Sequence, residues 1–124
     1  MAVAALAAVS LVAMSSPASA QPEPSQTTVT ASPGSAVLRQ QVILTATVTC
    51  RGFTPGGLGV TFFDASDLLD TVPVGPRGEA SITTTFSTVG SHVITAAYNG
   101  DSNCGASFDT TAVEVSLPGY ATRM

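Results

Sequence analysis

Few side chains in this sequence are capable of nucleophilic, acid–base or metal chemistry. There is one histidine, His92, and there are two cysteines, Cys50 and Cys104, beside eight acidic residues. A Ser-His-Asp triad would have to use His92, held between a hydroxyl and an orienting carboxylate. His92 lies on the inward parity of an alternating pattern, near its start, and reads better as a buried, hydrogen-bonded structural histidine. One histidine and two cysteines cannot close a structural zinc site, which takes four nitrogen or sulfur ligands. Asp64, Asp67 and Asp70 recur every three residues, a row that suggests calcium. The Gly and Glu positions of an EF-hand loop are not met, and turn and strand-edge carboxylates explain the three more simply. Asp101-Ser102-Asn103 reads as a side-chain-capped turn. No G-x-S-x-G, H-E-x-x-H or phosphate-loop pattern occurs. The expectation is a chain with no catalytic residues, no metal and no cofactor.

Charge narrows the partners. The net charge is −4, and charged residues make up 10% of the chain, against roughly 25% in ordinary globular proteins. The four basic residues are all arginines, Arg39, Arg51, Arg77 and Arg123, and they are scattered. A nucleic-acid footprint needs clustered Lys and Arg, so that class is set aside.

The start of the chain reads as an address. Residues 2–14 are apolar apart from Ser10, and Ala18-Ser19-Ala20 follows a Ser-Ser-Pro break. This is the pattern of a cleavable signal peptide, residues 1–20, with Ala18 and Ala20 as the small residues before the cut and Gln21 after it. The run is short of the roughly 20 apolar residues a membrane span needs, so no stable span is expected in the mature chain. No Lys or Arg precedes the run, which leaves the Sec or twin-arginine route and the true start open. Residues 21–26 form a Pro-rich linker. Export places the chain in an oxidising, extracellular compartment, where Cys50 and Cys104 are expected as a disulfide. Two buried free thiols are the alternative; the spacing is not that of a C-x-x-C redox pair.

Positioning falls to β-strands. The strand formers Thr, Val, Ile and Phe recur after residue 26, with turn residues every 8–15 positions. Seven strands are predicted, over 27–30, 41–50, 60–63, 68–74, 79–86, 92–98 and 107–116. In the second, Val42, Leu44, Ala46 and Val48 face one way while Ile43, Thr45, Thr47 and Thr49 face the other. Val60 and Phe62, then Ala80, Ile82 and Phe86, then His92, Ile94, Ala96 and Tyr98, then Val113 and Val115 continue the inward set. Pro73 fits an edge strand, where no ladder N–H is required. No apolar 3.6-residue period of useful length occurs after residue 20. One all-β domain over 27–116 with a short tail, 117–124, is expected: an immunoglobulin-like β-sandwich of about seven antiparallel strands.

A more specific resemblance rests on three ordered motifs. They are Val42-x-Leu44-x-Ala46-x-Val48, then Gly59-Val60-Thr61-Phe62, then Gly90-x-His92-x-Ile94-x-Ala96-x-Tyr98-x-Gly100-Asp101 with Asn103 after it. Together they resemble the bacterial Ig-like repeat domain of exported and cell-surface proteins, present as a single copy. The resemblance implies a secreted or surface-displayed structural or adhesive module without intrinsic catalytic residues. In that fold the loops after the second and sixth strands share one end, which places Cys50 near Cys104. The same end gathers Arg51 and Phe53 with Asp101 and Asn103 as candidate binding groups for an unidentified protein or surface glycan. A carbohydrate-associated accessory module is the alternative function. It would rely on exposed aromatics as stacking platforms, and only Phe53, Phe63 and Phe108 are candidates, with no Trp. A monomer is expected.

Overall fold

Alternate side chains of a strand point to opposite faces, so the Thr/aliphatic alternation dictates two-sided sheets. The computed structural model describes residues 21–118. The expected leader with Ala18 and Ala20, and residues 119–124, lie outside the described residues; Gln21 is the first described. Eight strands follow: β1 (Ser25–Ser32), β2 (Ser35–Val37), β3 (Val42–Cys50), β4 (Val60–Asp64), β5 (Asp67–Val72), β6 (Glu79–Thr84), β7 (Gly90–Tyr98) and β8 (Ser107–Ser116). No described residue is helical. One sheet has the order β1-β3-β6 and the other β2-β8-β7-β4-β5.

The all-β sandwich is as expected, with two corrections. There are eight strands rather than seven, and the pairing is not wholly antiparallel, because β2 runs parallel to β8. Three residues, Ser35, Ala36 and Val37, are too few to display a period of two, and their partner lies at the far end of the sequence. The other boundaries shift by a few residues. β1 begins at Ser25, so part of the expected linker is strand. β5 ends at Val72, which leaves Pro73 just beyond an edge strand. β7 opens at Gly90, two residues before the expected start of that strand.

The core lies between the sheets and contains most of the expected inward residues, with Val29 of β1 and Ala36 of β2 added to them. Val42, Leu44, Ala46, Val60, Phe62, Ile94, Ala96 and Val113 have no measurable exposure, and Val48 and Val115 are buried. Each Val, Leu, Ile or Phe so placed contributes about 1.5–3 kcal/mol by leaving water. Phe86 is buried although β6 stops two residues before it. Ile82 is partly buried against the same cluster.

A polar seam joins the sheets along one side. Ser25 Oγ donates to the Gly105 carbonyl at 2.6 Å and lies 2.6 Å from Ser107 Oγ. Thr27 Oγ1 lies 2.7 Å from Ser107 Oγ, and the Val29 N–H donates to Asp109 Oδ2 at 3.0 Å. Thr27 is buried, and these bonds satisfy what burial would otherwise leave unpaired. Nothing in the alternation pattern announces this seam, because Ser and Thr read equally well as outward residues.

Candidate functional site

The disulfide end of the sandwich collects four candidate binding residues. Cys50 closes β3 and Cys104 sits in the 99–106 loop before β8. They are bonded, with Cα atoms 6.0 Å apart, within the range a disulfide needs. The pair is therefore a bridge and not two thiols. Asp101 shapes the loop around it. Its Oδ1 accepts the N–H groups of Asn103 and Cys104 at 2.8 and 2.7 Å, and its own N–H donates to the Cys104 carbonyl at 2.8 Å. This is the side-chain-capped turn expected from the sequence. Glu23 is tied to the same loop: its N–H donates to the Asn103 carbonyl at 2.9 Å, and its carbonyl accepts from Gly105 N–H at 2.8 Å.

The facing loop, 51–59, is locked to it from the other side. The Asn99 N–H and Nδ2 both donate to the Gly59 carbonyl, at 2.9 and 3.0 Å. Gly57 has φ 73°, and a Cβ there would collide with the Gly100 carbonyl oxygen; only glycine allows this approach. The Gly56 N–H donates to Tyr98 Oη at 3.1 Å. Burial raises the Tyr98 pKa; the Gly56 N–H opposes this and the Asp101 charge adds to it. Tyr98→Phe removes the acceptor and strands the part-buried Gly56 amide, at a cost of about 1–2 kcal/mol. Urea unfolding and hydrogen exchange at Gly56 check this; an unchanged Gly56 exchange rate would count against the bond.

On this frame Arg51 and Phe53 are exposed, Phe53 at 45%, while Asn103 is exposed and Asp101 half-buried. The structure thus brings the four residues to one end, but Asp101 spends an oxygen on its own turn. Sequence reasoning missed Arg77. It joins Phe53, Pro55 and Pro76 along an open groove of about 260 Å³. Pairing of Thr47 with Glu79 carries the 75–78 turn to this end, a juxtaposition that only the strand register reveals. The three aromatics considered for glycan stacking lie apart. Phe53 is in this loop, whereas Phe63 and Phe108 belong to the five-stranded sheet.

The opposite end holds His92. Its Nδ1 is 2.8 Å from Asp64 Oδ2, and its Nε2 is 2.8 Å from the Thr88 carbonyl and 3.2 Å from Thr88 Oγ1. The ring leans on Phe86 with centroids 4.5 Å apart. A carbonyl only accepts, so Nε2 carries a hydrogen and has no lone pair for a neighbouring hydroxyl. This geometry fits the structural histidine expected, although the side chain is 12% exposed rather than fully buried. Burial works against charging the ring, but the Thr88 carbonyl and the Asp64 carboxylate outweigh it, and the pKa is raised. Pairing with His92 occupies Asp64, and Asp70 Oδ1 accepts the Thr71 N–H at 2.8 Å. Among the described residues no group of three or more His, Cys, Asp or Glu is placed to hold a metal.

A raised folded-state pKa stabilises the fold when the ring is protonated. The contribution is complete below the ordinary histidine pKa of about 6.5 and fades as pH rises through the higher folded value. Stability is therefore expected to fall between about pH 6 and about pH 8 by more than in a His92→Gln variant. Paired urea titrations check the difference. An NMR titration placing His92 at or below its ordinary value would sink the assignment.

Two packed sheets, a parallel contact between β2 and the last strand β8, and loops grouped at the two ends define an immunoglobulin-like β-sandwich. The chain belongs to the bacterial Ig-like domain (group 3) family, whose model matches residues 28–116. No curated protein matches the chain. Solved structures share the fold at low identity. A superoxide reductase (neelaredoxin) from Ignicoccus hospitalis has a TM-score of 0.56 and 14% identity, over 73% of this chain and 80% of that one. The CARDB domain of a Pyrococcus furiosus protein, in complex with di-metal ions, has a TM-score of 0.53 and 18% identity, over 75% and 93%. The sulfur carrier protein SoxY from Chlorobium limicola has a TM-score of 0.53 and 14% identity, over 88% and 99%. At such identities the likeness is one of fold alone. Among the described residues no helix is long and apolar enough to cross a membrane.

Proposed function

We propose that the chain is an exported structural or adhesive interaction module that works without catalysis and makes contact through its disulfide-tied end. The observation that carries this is the bonding that ties that end together. A disulfide, a capped turn and two interlocked loops hold Phe53 and Arg77 along an open groove, with Arg51 exposed in the same loop as Phe53. Rigid loops at one end of a scaffold are where binding groups are commonly placed. An exposed aromatic with neighbouring guanidinium groups is the composition of an interface anchor. Absence of catalysis is supported by His92, the single imidazole, whose two ring nitrogens are both engaged within the fold. Export is supported by the disulfide and the family.

The test is retention of labelled protein on the producing cells. Phe53→Ala and Arg51→Ala should each weaken retention about tenfold, as truncation of a contact residue worth about 1.4 kcal/mol does. Equal retention of both variants would remove this end from consideration. Mature protein beginning at Gln21 in the medium would establish the export step.

A further inference from the structure

His92 meets two acceptors at once. Its Nδ1 lies 2.8 Å from Asp64 Oδ2, and its Nε2 lies 2.8 Å from the Thr88 carbonyl oxygen. An ionised carboxylate and a carbonyl only accept, so both contacts need an N–H, and only the protonated ring carries two. A neutral ring must surrender one of them. The bond to the carboxylate is charge-assisted and roughly twice as strong as one to a neutral carbonyl. The proton therefore leaves from Nε2, into the solvent that reaches this partly exposed side chain. The lone pair left on Nε2 then faces the Thr88 carbonyl oxygen, acceptor against acceptor. The Thr88 hydroxyl, 3.2 Å from the same nitrogen, is the donor at hand.

The segment that must move is lightly held. Apart from a long 3.4 Å bond from Thr84 Oγ1 to the neighbouring Thr85 carbonyl, two bonds tie the 85–89 connection down among the described residues. The Arg39 N–H donates to the Phe86 carbonyl at 3.0 Å, and His92 Nε2 donates to the Thr88 carbonyl. Phe86 is buried, whereas Ser87, Thr88 and Val89 are exposed. Behind them Gly90 has φ 119° and open space on the side a Cβ would take, a position about which glycine turns freely.

We propose that residues 87–89 form a proton-operated flap, shut on the imidazolium and released when the ring is neutral, with the Thr88 hydroxyl replacing its carbonyl at Nε2. A histidine biasing a two-state segment is a known form of pH sensor. The charges around the ring are Asp64 on β4, Asp67 at the start of β5 and, with the smallest effect, Glu114 on β8. Arg39 is the cation at this end; its N–H holds Phe86 and, among the described residues, it pairs with neither aspartate. The flap brings only hydroxyls and Val89. Burial opposes charging, yet the ring's pKa is raised. The flap is therefore shut below the ordinary histidine value of about 6.5 and opens as pH climbs through the higher folded one. Opening widens a cavity of about 370 Å³ whose walls include Asp64, Asp67, Phe86, Thr88, Ser91 and His92. This device lies at the end opposite the disulfide and does not depend on binding there.

NMR of the full chain between about pH 5 and about pH 9 tests it. Ring nitrogen shifts should show the imidazolium at the acid limit and the Nδ1–H tautomer at the other. The Thr88 carbonyl and the Thr88 and Val89 amides should shift with the midpoint of the ring. Order parameters across 87–89 should drop from about 0.85 to below about 0.6 over the same change. Asp64→Asn reverses the choice of proton. Its amide can donate to Nδ1, so the neutral ring keeps its Nε2–H on the Thr88 carbonyl, and the flap should stay shut at every pH. Glu114→Gln should lower the midpoint and leave the tautomer and the opening unchanged. The proposal is overturned by an Nε2–H tautomer in the wild type, by order parameters that ignore pH, or by a flap that still opens in Asp64→Asn.

Discussion

Replacement of Cys50 by serine is expected to cost about 4 kcal/mol of stability. The bridge spans 54 residues of sequence, and closing a loop of that length removes about 4 kcal/mol of chain entropy from the unfolded state. For a domain of this size the loss corresponds to a melting point lower by about 20 °C. It is also a large share of the roughly 5–15 kcal/mol that holds a domain together. The native end should suffer too, because the bridge joins the end of β3 to the loop that carries Asp101 and Asn103. Thermal melts of Cys50→Ser, and of the wild type with and without reductant, measure the effect. A shift below about 5 °C would mean that the interlocked loops, not the bridge, secure this end.

Phe62→Ala is expected to cost as much without touching a covalent bond. Phe62 sits in β4, flanked by β5 and β7, and has no exposed surface. Truncating a buried Phe removes its transfer free energy and leaves a cavity, about 3–5 kcal/mol together. Its neighbour Phe63 faces out of the same strand and is only partly buried, so Phe63→Ala should cost well under half as much. Urea titration of the pair checks the parity of β4 directly. Equal losses would contradict the register in which Phe62 pairs with Ala96 and Phe63 with Thr95.

What was legible in the sequence follows from period and length. β3 shows four apolar residues at strict alternation, and every one of them is buried. β7 and β8 are readable for the same reason. β2 is invisible because three residues hold no period, and because its parallel partner is brought up only by the folded chain. His92 illustrates both sides: its inward parity is readable from its own strand, but Asp64, its partner, belongs to a different strand and reads locally as a turn residue. The candidate site divides likewise. Arg51, Phe53, Asp101 and Asn103 adjoin the cysteines in sequence, and the bridge gathers them. Arg77 reaches the groove beside Phe53 through the pairing of β3 with β6, a contact between segments with no shared local signal. The seam of Ser25, Thr27, Ser107 and Asp109 was missed because hydroxyl side chains serve a wet face and a hydrogen-bonded interior equally.

The parallel contact of β2 with β8 has a mechanical meaning. A pull through the two ends of the domain draws β2 and β8 past each other along their length. The hydrogen bonds between them then lie across the load and must yield together, whereas an antiparallel pair pulled at one end opens bond by bond. The cross-link inside the domain adds a stop. Once the outer strands slip, the stretch between Cys50 and Cys104 cannot pay out. The domain would therefore act under tension as a link of limited extension, resisting at first and then halting well short of the full length of its chain.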